Sequence, residues 1–455
     1  MYNLVRSFEW NNNNKDSDDM VGREDYSKIN KKITAAKAVK PSLARVGMIS
    51  EILSWLGNPD KRLRIIHIAG TNGKGSTGTM LKSILQESQY HVGHFSAPAI
   101  QDDLTMITID GQPIGQKDVV KIVHEITLQI KKHDGDFSLL STFEWWVLIA
   151  LVYFAQQDTQ FVILEEGPGG SNDVTNAVRT PYLIAYTKIS VDNICSTGST
   201  LKQVANEYAK IIKPGALIVS YPGQDYDVQK VLHEQTDAVH AFWNPYPLPQ
   251  ITILSTAPQG LSLKIDDIPD IPDIHLPLAG AYQASNLSTV LQIVNYLQQK
   301  GFQLSKDKTM AALSNISIPG RMEYVADRNI LYDGASNLDG ISGLRDSIKA
   351  WHLPFKPVFV LGLLDDRNAH EIIDLVASIA STIIAVTPES KEGMSAEAMA
   401  SYCLHNTKNN IDVEIADDPS AAIQLARKYR ASSNALIVVT GSIYTLRAIF
   451  NEEEG

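Results

Sequence analysis

Residues His67–Gly75 read HIAGTNGKG, and with Ser76 and Thr77 they form a glycine-rich loop that opens a helix. The preceding Leu63–Ala69 is an apolar run suited to a buried strand. Met80, Leu81, Ile84 and Leu85 follow at helical spacing. A strand that turns through glycines into a helix aims backbone N–H groups at one point, the positive end of the helix dipole. Gly70, Gly73 and Gly75 let phosphate oxygens approach where a Cβ would stand, and Lys74 reaches the outer phosphates. Gly70, Thr71, Asn72, Gly73, Lys74, Gly75 and Ser76 are therefore candidate residues for binding a nucleotide triphosphate. The loop departs from the common P-loop in one respect: Lys74 is followed by Gly75 rather than by Ser or Thr. Three glycines alone make only a tight turn; the lysine and the strand–loop–helix context favour phosphate.

The rest of the composition narrows the class. A chain of 455 residues with 44% hydrophobic content has room for two or three domains and a large core. A net charge of −11 argues against non-specific nucleic-acid binding. Two cysteines, Cys195 and Cys403, supply no disulfide framework and fit a reducing compartment. The polar Asn11–Asn14 and Asp16–Asp19 do not make a secretory signal. The longest apolar run, Trp145–Ala155, is too short to cross a bilayer and reads as a buried helix. The expectation is a cytoplasmic monomer without membrane or nucleic-acid partners.

Apolar, β-rich runs alternate with helical patterns: Arg64–Ala69, Phe161–Glu165, Leu183–Thr187 and Ala216–Ser220. The alternation restarts with Asn329–Asp333, Pro357–Gly362, Thr382–Val386, Val413–Ala416 and Ala435–Thr440. That is the α/β signature of a parallel sheet, given twice. Between the halves lie Ala257–Gly260, the Asp/Pro segment Asp266–Asp273 and a helical stretch Ser285–Gln299. Residues 1–300 are expected to form the first domain, with 1–30 an irregular arm anchored by Trp10, and residues 301–455 the second.

Further motifs follow the loop in order. Leu56–Pro59 (LGNP) precedes it, and Ser141–Glu144 (STFE), Leu164–Asn176 (LEEGPGGSNDVTN), Ile212–Gly215 (IKPG) and Gly280–Asn286 (GAYQASN) come after. Ile318–Glu323 (IPGRME), Asp333–Gly340 (DGASNLDG), Gly362–Asn368 (GLLDDRN) and Thr440–Tyr444 (TGSIY) complete the series. Together they resemble bacterial folylpolyglutamate synthase and dihydrofolate synthase, members of the Mur ligase superfamily. The resemblance implies an N-terminal P-loop ATPase domain of the Mur ligase central-domain type and a smaller Rossmann-like C-terminal domain. It implies an active site in the cleft between them, with ATP and Mg2+ as cofactors. The implied reaction activates a folate or pteroate carboxylate as an acyl phosphate, which the amine of L-glutamate attacks. Lys74 and Arg321 then take the catalytic roles, Arg321 crossing from the hinge to the phosphates. Asn286 falls near the nucleotide, Asp333 holds the ribose or orients the domain, and Glu165 is the magnesium-ligand glutamate, with Ser76 a further oxygen.

The departures cluster at the metal. Phe95–Ile100 reads FSAPAI, so the family's ligating serine is Ala97, and its histidine after Asp192 is Asn193, whose neutral amide oxygen is still a candidate magnesium ligand. The lysine that the family carbamylates is Tyr208, and Lys210 sits two residues along a helix, about 200° away. The histidine and proline of the second-domain aspartate motif are Ser336 and Leu338, and the arginine of the Gly-rich segment is Ser171. Two classes follow from the sequence: a working ATP-dependent amide ligase, or a degenerate paralogue that binds ATP and a pteridine or other carboxylate without efficient folate ligation.

Overall fold

The structure, a computed structural model, describes residues 25–454 apart from 101, 168, 192–197, 267–272, 367, 407–410 and 431–433. Its first sheet is built from β1 (Ile65–Ala69), β2 (Val92–Phe95), β3 (Ile107–Ile109), β4 (Gln112–Pro113), β5 (Phe161–Glu165), β6 (Leu183–Tyr186), β7 (Leu217–Ser220) and β8 (Phe242–Trp243). The spatial order is β4-β3-β2-β5-β1-β6-β7-β8. From β2 to β8 all neighbours are parallel; β3 and β4 add an antiparallel edge. The pleat sends alternate side chains to opposite faces. Ile65 packs with Trp145, Leu148 and Val162 on one side. Ile66 and Ile68 pack with Leu81, Ile84 and Ile163 on the other.

Consecutive strands β5 and β6 flank β1 on opposite sides, so the chain crosses over the loop-bearing strand. Glu165 lies level with Ile68, and Tyr186 with Ala69. Three strand ends thus open at one point on the carboxyl edge of the sheet, where α/β sheets bind ligands. Trp145–Ala155 lies inside the buried helix Thr142–Gln156, started by a capping box of Ser141 and Glu144. None of the described helices is long and apolar enough to cross a membrane.

The second sheet joins β12 (Glu323–Val325), β13 (Ile330–Tyr332), β14 (Val358–Leu361), β15 (Thr382–Val386), β16 (Asp412–Ala416) and β17 (Ile437–Thr440). Its order is β12-β13-β17-β14-β15-β16, parallel except for β12. The architecture is therefore α/β, with an N-terminal nucleotide-binding-type domain and a smaller Rossmann-like C-terminal domain.

Three features differ from the sequence reading. The expected irregular arm ends early: Tyr26–Thr34 is a helix capped by Asp25, and it buries Ile29 and Ile33. Those isoleucines are spaced i, i+4, enough to seat one helical face. Trp10 lies outside the described residues. The segment between the halves carries a third, antiparallel sheet of β9 (Ile251–Ala257), β10 (Gly260–Ile265) and β11 (Ile274–Leu276). Finally, Leu304, Leu313, Ile316 and Ile318 are buried in the first domain, whereas Met322 is buried in the second. We place the change of domain at Ile318–Met322, beyond the expected residue 301.

Candidate active site

The loop after β1 is shaped by its glycines and braced by the segment that follows β6. Gly70 has φ 136°, and a Cβ there would lie 3.0 Å from the Thr187 carbonyl oxygen. Gly73, at φ 94°, begins the helix Lys74–Glu87, and a Cβ there would lie 2.5 Å from Asn286 Oδ1. The Thr71 and Asn72 N–H groups donate to the Lys188 carbonyl at 2.9 and 3.1 Å. Thr71 Oγ1 donates to Ser190 O at 2.9 Å and accepts from Ser190 N at 3.0 Å. The Lys74 ammonium curls back over the loop, donating to Gly70 O at 2.5 Å and Thr71 O at 3.3 Å.

Around Gly75 the two domains meet. A Cβ on Gly75 would lie 3.8 Å from Glu165 Oε2 and 3.9 Å from Arg321 Nε. A carboxylate from the end of β5 and a guanidinium from the hinge therefore face the start of the loop helix. Ser76 Oγ accepts from Gln283 Nε2 at 3.1 Å, and Gln283 Oε1 accepts from Asn286 Nδ2 at 2.9 Å. The Gln–Asn motif thus reaches the loop through its first helical serine.

Glu165 is buried and held from two sides: His94 Nε2 lies 2.6 Å from Oε1, and Ser96 Oγ donates to Oε2 at 3.0 Å. Burial lowers the His94 pKa, Glu165 opposes that shift, and the half-buried Lys82 adds to it. A carboxylate only accepts, so His94 Nε2 is the donor in this pair. The sequence reading missed both His94 and Ser96. A lone histidine in the apolar strand VGHF carries no signal until strand pairing sets β2 beside β5.

Behind the loop lies an acidic pair. Glu166 and Asp173 are both buried, and burial with their mutual repulsion pushes Glu166 well above the usual carboxylate range. Glu166 Oε2 accepts from Gly70 N at 3.4 Å. Asp173 Oδ1 accepts from Thr175 N and Oγ1 at 2.9 and 2.6 Å. Thr175 Oγ1 in turn meets His67 Nε2 at 3.0 Å.

A polar bridge spans the cleft. Asn72 Nδ2 donates to Asn337 Oδ1 at 3.2 Å and to Asp339 Oδ2 at 2.8 Å, and Asn337 Nδ2 returns a bond to Asn72 Oδ1 at 3.1 Å. Lys188 pairs with the other Asp339 oxygen. Asn337 also caps the helix Leu338–Ala350. Asp333, nearby, accepts from Met322 N at 2.9 Å and from Ala335 N at 3.1 Å. Burial raises its pKa to about 6, against the pull of Arg321 and those two amides. Its carboxylate knits the hinge to the Asp333–Gly340 turn.

The structure brings the loop, Glu165, Asn286 and Arg321 together; Asn193 lies outside the described residues. The oxygens of Ser76 and Glu165 suit magnesium, which takes hard ligands and keeps several waters. Ala97 offers no side-chain donor. Among the described residues no group of three or more His, Cys, Asp or Glu side chains forms a separate metal cluster.

No family model matches the chain. The dihydrofolate synthase/folylpolyglutamate synthase of Bacillus subtilis is 29% identical over 417 residues, covering 90% of this chain and 94% of the relative. The Lacticaseibacillus casei folylpolyglutamate synthase is 28% identical over 90% of this chain and 95% of its own length. The solved folylpolyglutamate synthase of Mycobacterium tuberculosis, complexed with ADP and AMPPCP, matches with a TM-score of 0.81 at 26% identity, over 94% of this chain and 98% of that one. This chain is a homologue of the folylpolyglutamate and dihydrofolate synthases. The homology fits the Mur ligase superfamily. Tyr208, which the sequence reading set against a lysine, lies in the helix Leu201–Ala209. Its side chain is buried in the apolar cluster of Val204, Ile211 and Ile218, and its carbonyl accepts from Tyr186 Oη at 2.7 Å. Lys210 caps the end of that helix and pairs with Glu207 on the surface.

Proposed function

We propose that the protein is an ATP-dependent, ADP-forming ligase that joins L-glutamate to the carboxylate of a folate- or pteroate-type acid. The observation that carries the reading is the convergence of the Lys74 loop, Glu165 and Arg321 around Gly75. A carboxylate is a poor acyl donor. Its oxygen attacks the γ-phosphorus, the bond to ADP breaks, and an acyl phosphate results. The glutamate amine then attacks the acyl carbon, loses a proton and expels phosphate, leaving an amide. The loop amides and Lys74 hold the β- and γ-phosphates, and Arg321 neutralises charge that grows in transfer. Ser76 and Glu165 would hold magnesium, which when bound withdraws charge from the phosphate oxygens.

The names of the relatives support this substrate class. The second reading, nucleotide binding without efficient folate ligation, rests on Ala97 and on the inward-turned Tyr208. ADP release with pteroate and folate acceptors, with and without glutamate, separates the two. The ligase reading requires release that depends on both acceptor and glutamate. ATP binding without such release would overturn it in favour of the second. Restoring Ala97→Ser, Asn193→His and Tyr208→Lys together should then raise folate-dependent release.

A further inference from the structure

We infer that His94 is a positioning residue, which fixes Glu165 in the orientation that binds the divalent cation of the nucleotide. This rests on the ATP-ligase reading of the site. His94 Nε2 meets Glu165 Oε1 at 2.6 Å, and both side chains are buried, so the bond is shielded from competing water. The contact is also enforced from the loop helix. A Cβ on Gly78 would lie 2.6 Å from Glu165 Oε1 and 2.8 Å from His94 Nε2, so the missing side chain makes room for this pair. With Oε1 engaged by His94, Oε2 is the oxygen turned toward Gly75, where Ser96 supports it at 3.0 Å. A carboxylate gripped at one oxygen by a rigid imidazole presents the other in a single direction. Outer partners of metal-ligating groups act in this way, by orienting the ligand rather than touching the metal.

The test compares two polar variants by paramagnetic resonance of Mn2+ bound with a non-hydrolysable ATP analogue. In His94→Gln the amide nitrogen reaches the Nε2 position; in His94→Asn it falls short. His94→Asn should weaken Mn2+ binding in the ternary complex about 10–100-fold. Affinity for the metal-free nucleotide should stay at the parent value, and His94→Gln should restore Mn2+ binding. Should His94→Asn fail to fold, Gly78→Ala displaces the pair from a helical position that favours alanine, and it should give the same loss. Parent-like Mn2+ binding in both His94→Asn and Gly78→Ala overturns the positioning role alone. A parent that retains no Mn2+ with the nucleotide overturns the ATP reading of the site and this inference with it.

Discussion

Lys74 carries its charge back over the loop, where the Gly70 and Thr71 carbonyls hold it. A triphosphate is a stronger partner than two carbonyls, so the side chain is expected to swing outward on binding. Lys74→Ala removes a charge-assisted contact worth about 1.5–3 kcal/mol. Calorimetry should then show ATP binding weakened about tenfold or more, and unchanged affinity would sink the loop assignment. His67, on the strand below, behaves differently. Burial, aided by the nearby Lys213, pushes its pKa down to about 3 from 6.5. Between those values the unfolded chain binds one more proton than the native one. Stability is therefore full above pH 6.5 and falls as the pH falls toward 3, by about 1.4 kcal/mol per pH unit. His67→Gln keeps a polar group beside Thr175 but cannot be charged. Its urea midpoint should depend less steeply on pH in that window, and parallel profiles would exclude His67 as the titrating group.

At the scale of elements, the strand–loop–helix unit works because Gly70 adopts φ 136° against the Thr187 carbonyl. A side chain there meets both a strained backbone, costing about 1–3 kcal/mol, and a backbone atom that cannot step aside. Gly70→Ala should lower the denaturant midpoint and abolish ATP binding together; a variant with a normal midpoint would show that the loop tolerates a Cβ. This unit was legible in the sequence because its signals are local: an apolar run, three glycines, a lysine and helical spacing. The buried helix Thr142–Gln156 was legible for the same reason. Other strands were not. Gly93 and His94 interrupt the apolar run of β2, and β9–β11 lie around the turn residues Ala257–Gly260 and the Asp/Pro segment, outside the strand–helix alternation that marks the two parallel sheets.

Across the whole molecule, the domains are joined near the site by polar contacts. Asn72 meets Asn337 and Asp339, Arg447 pairs with Asp103 at 3.0 Å, and Trp351 Nε1 donates to Thr256 Oγ1 at 3.0 Å. Polar interdomain contacts of this kind exchange readily with water, so opening and closing is the expected motion. Arg321 sits at the hinge of that motion, facing Gly75 of the opposite domain. On the proposed ligase reading, its contact with the phosphates would be strongest in the closed transition state. In a ligase assay Arg321→Ala should lower kcat. The melting temperature should move little, since Asp333 keeps both of its backbone donors. A large drop in melting temperature with normal kcat would make Arg321 structural.

The sequence by itself determined the α/β class, the strand–glycine loop–helix unit and the ordered motifs that carry the resemblance, because each is written in contiguous residues. It also marked Ala97 and Tyr208 as departures, since a missing residue type is visible without coordinates. What holds Glu165 was decided only by tertiary structure. His94 lies 71 positions from Glu165 and reaches it because β2 pairs with β5. The bridge from Asn72 to Asn337 and Asp339 spans 265 and 267 positions and exists only when one domain folds against the other. Side chains so far apart share no local pattern, and only the packing of sheets and domains brings their charges within bonding distance.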